Sequence, residues 1–232
     1  MPASLIPTLR MSATTPPRGE VVFVHGLWLT GAESFALRHR LRAAGLRLHT
    51  FPYSSFTESL DQVIRRCAAY ADALAARTFP RPVHFVGHSL GGVVLYRLFE
   101  LGFRASPGAR VVLLGSPLCG CTAGRRFARL GGGLGRELLG AIARDELLRD
   151  RDRRWHSDVP LGIVAGTRPF GLARLVVPLE GEHDGVVTVA ETRLPGAAAF
   201  VKLPVAHSEM LFSARTAGEV ASFLVDGCFR GH

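Results

Sequence analysis

The chain has 232 residues, 47% of them hydrophobic and 20% charged, which fits one globular α/β domain with a full core and excludes a disordered polymer. Its net charge of +9 is almost wholly arginine, with Lys202 the only lysine, and no basic stretch is interleaved with aromatics, so nucleic acid is not an expected partner. Cys67, Cys119, Cys121 and Cys228 form no C-x-x-C pair and are expected as reduced, incidental thiols.

Met1 to Gly19 is polar and proline-rich, without the apolar core of a signal peptide. It is expected as a flexible tail (1–19), followed by a single domain over 20–232 in the cytoplasm. Val21-Val22-Phe23-Val24 is a continuous apolar run, so it predicts a strand buried on both faces, ending at His25-Gly26. Gly31 to Ala44 has helical spacing, with Phe35, Leu37 and Leu41 on the apolar side. Arg47 to Phe51 predicts a second strand, and Thr57 to Arg77 a long amphipathic helix.

Val83 to Val86 predicts the third strand. It runs through Gly87-His88-Ser89-Leu90-Gly91-Gly92 straight into Val93 to Phe99, a buried helix. Strand, G-x-S-x-G and helix in immediate succession describe a tight turn that lifts a serine hydroxyl above the sheet edge. The helix N-terminus there favours a developing negative charge. Val111 to Leu114 is the fourth strand, Leu161 to Ala165 the fifth, Ala197 to Leu203 the sixth, and Ser208 to Phe223 the closing helix. The alternation predicts an α/β fold: a doubly wound, mostly parallel six-stranded sheet flanked by helices. Residues 117–158 interrupt it, with one helix expected from Leu134 to Leu148. They read either as a small cap over the site or as an ordinary crossover with ragged ends.

A serine hydroxyl needs an adjacent base, and the base needs an orienting carboxylate. In such a sheet these come from loops at the carboxyl ends of the strands, in the order Ser, acid, His. Of nine histidines only His207 and the terminal His232 lie beyond residue 183, and His207 sits on the loop after the last strand. The acid loop offers Asp184, followed by Gly185 and apolar Val186 and Val187, with Glu180 and Glu182 as rivals. The oxyanion hole needs two backbone N–H groups. Leu90, after the serine, supplies one, and Leu27, in the loop after the first strand, the other. His25, Trp28, His88 and Leu118 are expected at the pocket, with Phe170 and Leu172 as further apolar lining. His88 reads as a packing and hydrogen-bonding residue, not as the base.

These pieces together resemble the α/β-hydrolase superfamily, and within it the bacterial lipases and esterases. They are His25-Gly26, Gly87-His88-Ser89-Leu90-Gly91-Gly92, Gly115-Ser116-Pro117, Asp184-Gly185-Val186-Val187 and His207. The resemblance covers about residues 20 to 226 and implies a minimal, six-stranded member with a small cap. It implies a Ser89–Asp184–His207 hydrolase that works through an acyl-enzyme without metal or other cofactor. A small-molecule carboxylic ester is the expected substrate. Thioesters, lactones or amides are alternatives within the same chemistry, and a noncatalytic ligand-binding protein is an alternative outside it. The arginines from Arg125 to Arg154 allow peripheral contact with anionic lipid; the plainer reading is a solvated helix face with i,i+4 pairs.

Overall fold

A computed structural model describes residues 18–170 and 179–231. Six strands form one sheet: β1 (Gly19–Val24), β2 (Leu46–Phe51), β3 (Val83–His88), β4 (Val111–Leu114), β5 (Leu161–Gly166) and β6 (Ala199–Leu203). The order is β2-β1-β3-β4-β5-β6 and every pairing is parallel. Gly19 already pairs with Leu46. Of the expected tail, residues 1–17 lie outside the described residues.

The continuous apolar strands follow from a sheet covered on both faces. Alternate side chains go to opposite sides. Val22, Val24, Phe85, Leu113 and Ile163 enter one core, with α2 (Leu60–Thr78) and α3 (Leu90–Glu100). Val21, Phe23, Val86, Val112 and Val164 enter the other, with α1 (Phe35–Ala43) and the last helix, α8 (Ala214–Asp226), which comes after the one-turn α7 (Val189–Thr192). Among the described residues no helix is long and apolar enough to cross a membrane.

Helix boundaries follow local caps more than periodicity. The second helix starts at Leu60, not Thr57, because Ser59 caps it: its hydroxyl accepts from Gln62 N–H, and Gln62 Oε1 accepts from Ser59 N–H at 2.9 Å. The closing helix is two pieces, a 3-10 turn at Ser208–Leu211 and then α8, whose N-cap Ser213 accepts from Thr216 N–H at 3.2 Å. Phe35, expected in the core, opens α1 at 65% exposure and packs instead on Phe212, ring centroids 5.7 Å apart.

Residues 117–158 contain no strand, as the spacing predicts, but the single helix over Leu134 to Leu148 is not there. The segment makes α4 (Thr122–Leu130), α5 (Gly132–Leu138) and α6 (Gly140–Leu147). Gly140 causes the second break. Its φ is +71°, and a Cβ there would be driven into the carbonyl oxygen of Ser55. A tertiary contact therefore interrupts a run whose local composition is helical. Arg153 closes the segment on itself: its buried guanidinium pairs with Glu146 and donates to Leu118 O at 2.8 Å.

Candidate active site

The carboxyl ends of the strands form one rim, because the register sets Val24 level with Gly87, His88 with Leu114, and Gly166 with Leu203. Loops from this rim bring the predicted site residues together. Ser89 is the turn residue between β3 and α3, at φ +53°, ψ −122°. A non-glycine residue there is strained and persists only where its surroundings hold it. Ser89 N–H donates to Leu114 O at 2.9 Å, and Gly91 lies directly beneath the carbonyls of Val24 and His25. The loop after β1 touches the serine: a Cβ on Gly26 would sit 3.1 Å from Ser89 Cβ and 3.3 Å from His88 Nδ1.

Asp184 is fully buried and His207 is 8% exposed. The His207 Nδ1–H donates to Asp184 Oδ2 at 2.7 Å. The carboxylate's other oxygen accepts from Val186 N–H at 2.9 Å and Val187 N–H at 2.7 Å. The main chains are also joined, His207 N–H to Asp184 O, at 2.9 Å. Burial alone pushes the Asp184 carboxyl up, but the His207 ring and the three hydrogen bonds hold it below the usual carboxylate range. The rival acids are elsewhere. Glu180 is exposed, and Glu182 forms an exposed ion pair with Lys202 at 2.8 Å. His183 turns back on its own loop and accepts from Gly185 N–H at 3.1 Å.

His88 is buried behind the serine. Its Nε2–H donates to His207 O at 3.1 Å, and the two rings lie 4.8 Å apart. His25 is buried, with Nδ1–H on Gly26 O at 2.9 Å. Leu27 is half-buried; the N–H groups of Leu27 and Leu90 have no acceptor among the described residues. Trp28 has φ +61°, donates Nε1–H to Leu138 O at 2.8 Å, and meets Phe127 edge-on at 5.8 Å. Leu118 is fully buried in the core, its N–H on Glu191 O at 2.8 Å. Phe170 is exposed, and its main chain lies against Gly185. Leu172 lies outside the described residues.

Sequence reasoning missed Tyr53. Its ring stacks on His25 at 4.3 Å and its O–H donates to His25 O at 2.9 Å, so it braces the loop after β1 from below. The signal was available, since Tyr53 follows Phe51-Pro52 at the carboxyl end of β2.

Two buried histidines give the fold an acid limit. Burial, aided by the charge of Arg110, pushes His84 down to about 4; burial, aided by the His207 ring, pushes His88 down to about 3. Unfolded, each takes up a proton near 6.5. Their stabilising contribution is therefore complete above about 6.5 and is lost as pH falls toward 4. Urea unfolding at pH 7 and pH 5 is expected to show a loss of about 2 kcal/mol for each histidine. His84→Gln, which keeps an acceptor for Arg110 N–H, is expected to flatten that slope. Equal stability at the two pH values would contradict the burial argument.

Residues 21–221 match the sequence model described as the alpha/beta hydrolase family. No curated protein matches the chain in sequence. Bacillus licheniformis lipase BlEst2 in its propeptide form superposes with a TM-score of 0.72 at 19% identity, over 90% of this chain and 51% of that one. The chain thus spans about half the length of that form. The mature form of BlEst2 gives 0.65 at 19% identity, over 97% of this chain and 96% of that one. The RedJ thioesterase from the prodiginine pathway of Streptomyces coelicolor gives 0.56 at 15% identity, covering 93% and 91%. A soluble variant of Saccharomyces cerevisiae monoglyceride lipase gives 0.61 at 13%, covering 93% and 89%. At these identities the likeness is one of fold.

Proposed function

The chain belongs to the alpha/beta hydrolase family, and from that premise we propose that it is a serine hydrolase of carboxylic esters, with Ser89 as nucleophile, His207 as base and Asp184 as the orienting acid. The observation that carries this reading is the buried Asp184–His207 hydrogen bond of 2.7 Å on the rim that also holds a strained serine at a strand-to-helix turn. Because Nδ1 of His207 is committed to Asp184, Nε2 is the nitrogen left to take the Ser89 proton. Ser89 Oγ then attacks the ester carbonyl. The N–H groups of Leu27 and Leu90 are suited to hold the oxyanion, since neither has an acceptor among the described residues. Collapse expels the alcohol, which takes its proton from His207. Water, deprotonated by His207, hydrolyses the acyl-enzyme and frees Ser89.

In this reading 117–158 is a small cap, since Trp28 links the proposed oxyanion loop to the end of α5. Trp28, His25, His88 and Leu118 are the proposed pocket surroundings.

A fluorophosphonate probe should label Ser89 stoichiometrically, and p-nitrophenyl esters should be hydrolysed faster than matched thioesters and amides. Faster thioester cleavage would move the assignment to a thioesterase. Well-folded protein that takes no label would sink the enzyme reading in favour of a ligand-binding module.

A further inference from the structure

We propose that the tip of the α4–α5 helix pair, with Trp28 beside it, docks on the surface of an anionic lipid bilayer. Four large apolar side chains there face solvent: Leu130 is 67% exposed, Leu134 68%, Leu138 45% and Trp28 52%. Leu134 and Leu138 share one face of α5, four residues apart. Trp28 is tied to the same patch by its hydrogen bond to Leu138 O. Exposed apolar residues scattered singly need no account; four on one helix pair and the loop tied to it do. Tryptophan in particular suits a membrane interface, where its ring is apolar and its N–H finds a partner.

Charge selects the partner. Between Thr122 and Arg144 the chain has five arginines against one acid, Glu137. The structure sorts the arginine-rich stretch in two. Arg125 is spent on Asp150 at 2.5 Å, and Arg153 on Glu146. Arg129, next to Leu130 at the end of α4, stands exposed and enters no ion pair among the described residues; Arg136 is exposed and outside every ion pair there too, but two residues from both Leu134 and Leu138 it projects from the other side of α5. Exposed leucines with Arg129 at their edge, on an arginine-rich stretch, match a layer that is apolar within and negative at its surface. A second copy of the chain fits worse, because a two-fold contact would bring the same arginines face to face. Nucleic acid leaves the leucines without a partner.

The docked tip also has an address. Trp28 is two residues past Gly26, which packs against Ser89. Docking therefore brings the lipid surface to the rim that holds Ser89, whatever reaction that rim performs.

Co-sedimentation of the full chain tests this, with vesicles of phosphatidylcholine alone and of phosphatidylcholine mixed with phosphatidylglycerol. Binding is expected to the mixed vesicles and to weaken as salt rises. Arg129→Gln should weaken it about fivefold, and Arg136→Gln, on the other side of α5, should weaken it less. Leu134→Ser, at an exposed position that leaves the fold intact by circular dichroism, should weaken it at least about tenfold. Ser89→Ala protein should bind like the parent, so loss of hydrolysis and loss of docking are read separately. Equal binding to both vesicle types, no binding to either, or tip variants that bind like the parent would each overturn the proposal. So would a dimer that Leu134→Ser dissolves in a protein that ignores vesicles, which would assign the face to a second copy.

Discussion

Ser89→Ala should lower turnover of a p-nitrophenyl ester by about a millionfold while leaving the melting temperature within a few degrees of the parent. The two halves of this expectation have separate grounds. Alanine keeps the Cβ of serine, so it meets the same strain at φ +53° and adds none. What disappears is the only oxygen in the turn that can form the acyl-enzyme. Asp184→Asn should cost about ten-thousandfold in kcat, less than loss of the nucleophile. The asparagine can still accept from Val186 and Val187, but its amide would present N–H to His207 Nδ1. That forces the proton onto Nε2, and the base can no longer take one from Ser89. Kinetics of the two variants beside the parent decide the matter. An Asp184→Asn enzyme as fast as the parent would remove Asp184 from the mechanism, and an active Ser89→Ala enzyme would remove the mechanism itself.

Gly91→Ala should be among the most damaging glycine substitutions at the described residues. The added carbon would be driven into the carbonyl oxygens of Val24 and His25, both main-chain atoms with nowhere to go. The neighbouring elements are the end of β1 and the first turn of α3, in the middle of the sheet. A loss above about 3 kcal/mol is expected, enough to leave little soluble protein. Gly133→Ala is the control. It lies in α5 with nothing within 4 Å, and should be neutral or stabilising by about 0.5–1 kcal/mol. Urea midpoints of both variants measure the contrast. A Gly91→Ala protein as stable as its parent would mean that β1 and α3 do not meet as described.

What the sequence made legible divides by the range of the interaction involved. The strands were readable because burial on both faces makes them apolar runs, and Val21 to Val24 shows this plainly. The serine turn was readable from its glycine pattern and its place between strand and helix, although only Gly87 answers to local sterics, against Gly91 and Gly92, while Gly91 answers to the distant carbonyls of Val24 and His25. Asp184 and His207 were readable through chain order, and their meeting at 2.7 Å follows from loops that leave the same rim. The three-helix form of 122–147 was not, because Gly140 breaks the run only where it presses on Ser55, a residue far away in sequence. The position of Tyr53 at the carboxyl end of β2 was a usable signal, but its partner was not, since His25 belongs to another strand's loop. The start of α2 was misplaced by three residues although Ser59 and Gln62 spell a capping box; there the signal was local and was outweighed by periodicity.

The indole of Trp28 gives the molecule an optical reporter. The chain has two tryptophans, and Trp155 is buried at 7% exposure against the core while Trp28 is half in solvent. Trp28 joins the loop beside Ser89 to the end of α5 through a hydrogen bond to Leu138 O. Any displacement of the helix pair must change the polarity around that ring or break that bond. The long-wavelength emission of Trp28, set against the bluer emission expected of buried Trp155, therefore reads the position of 122–138 relative to Ser89 without any label being attached.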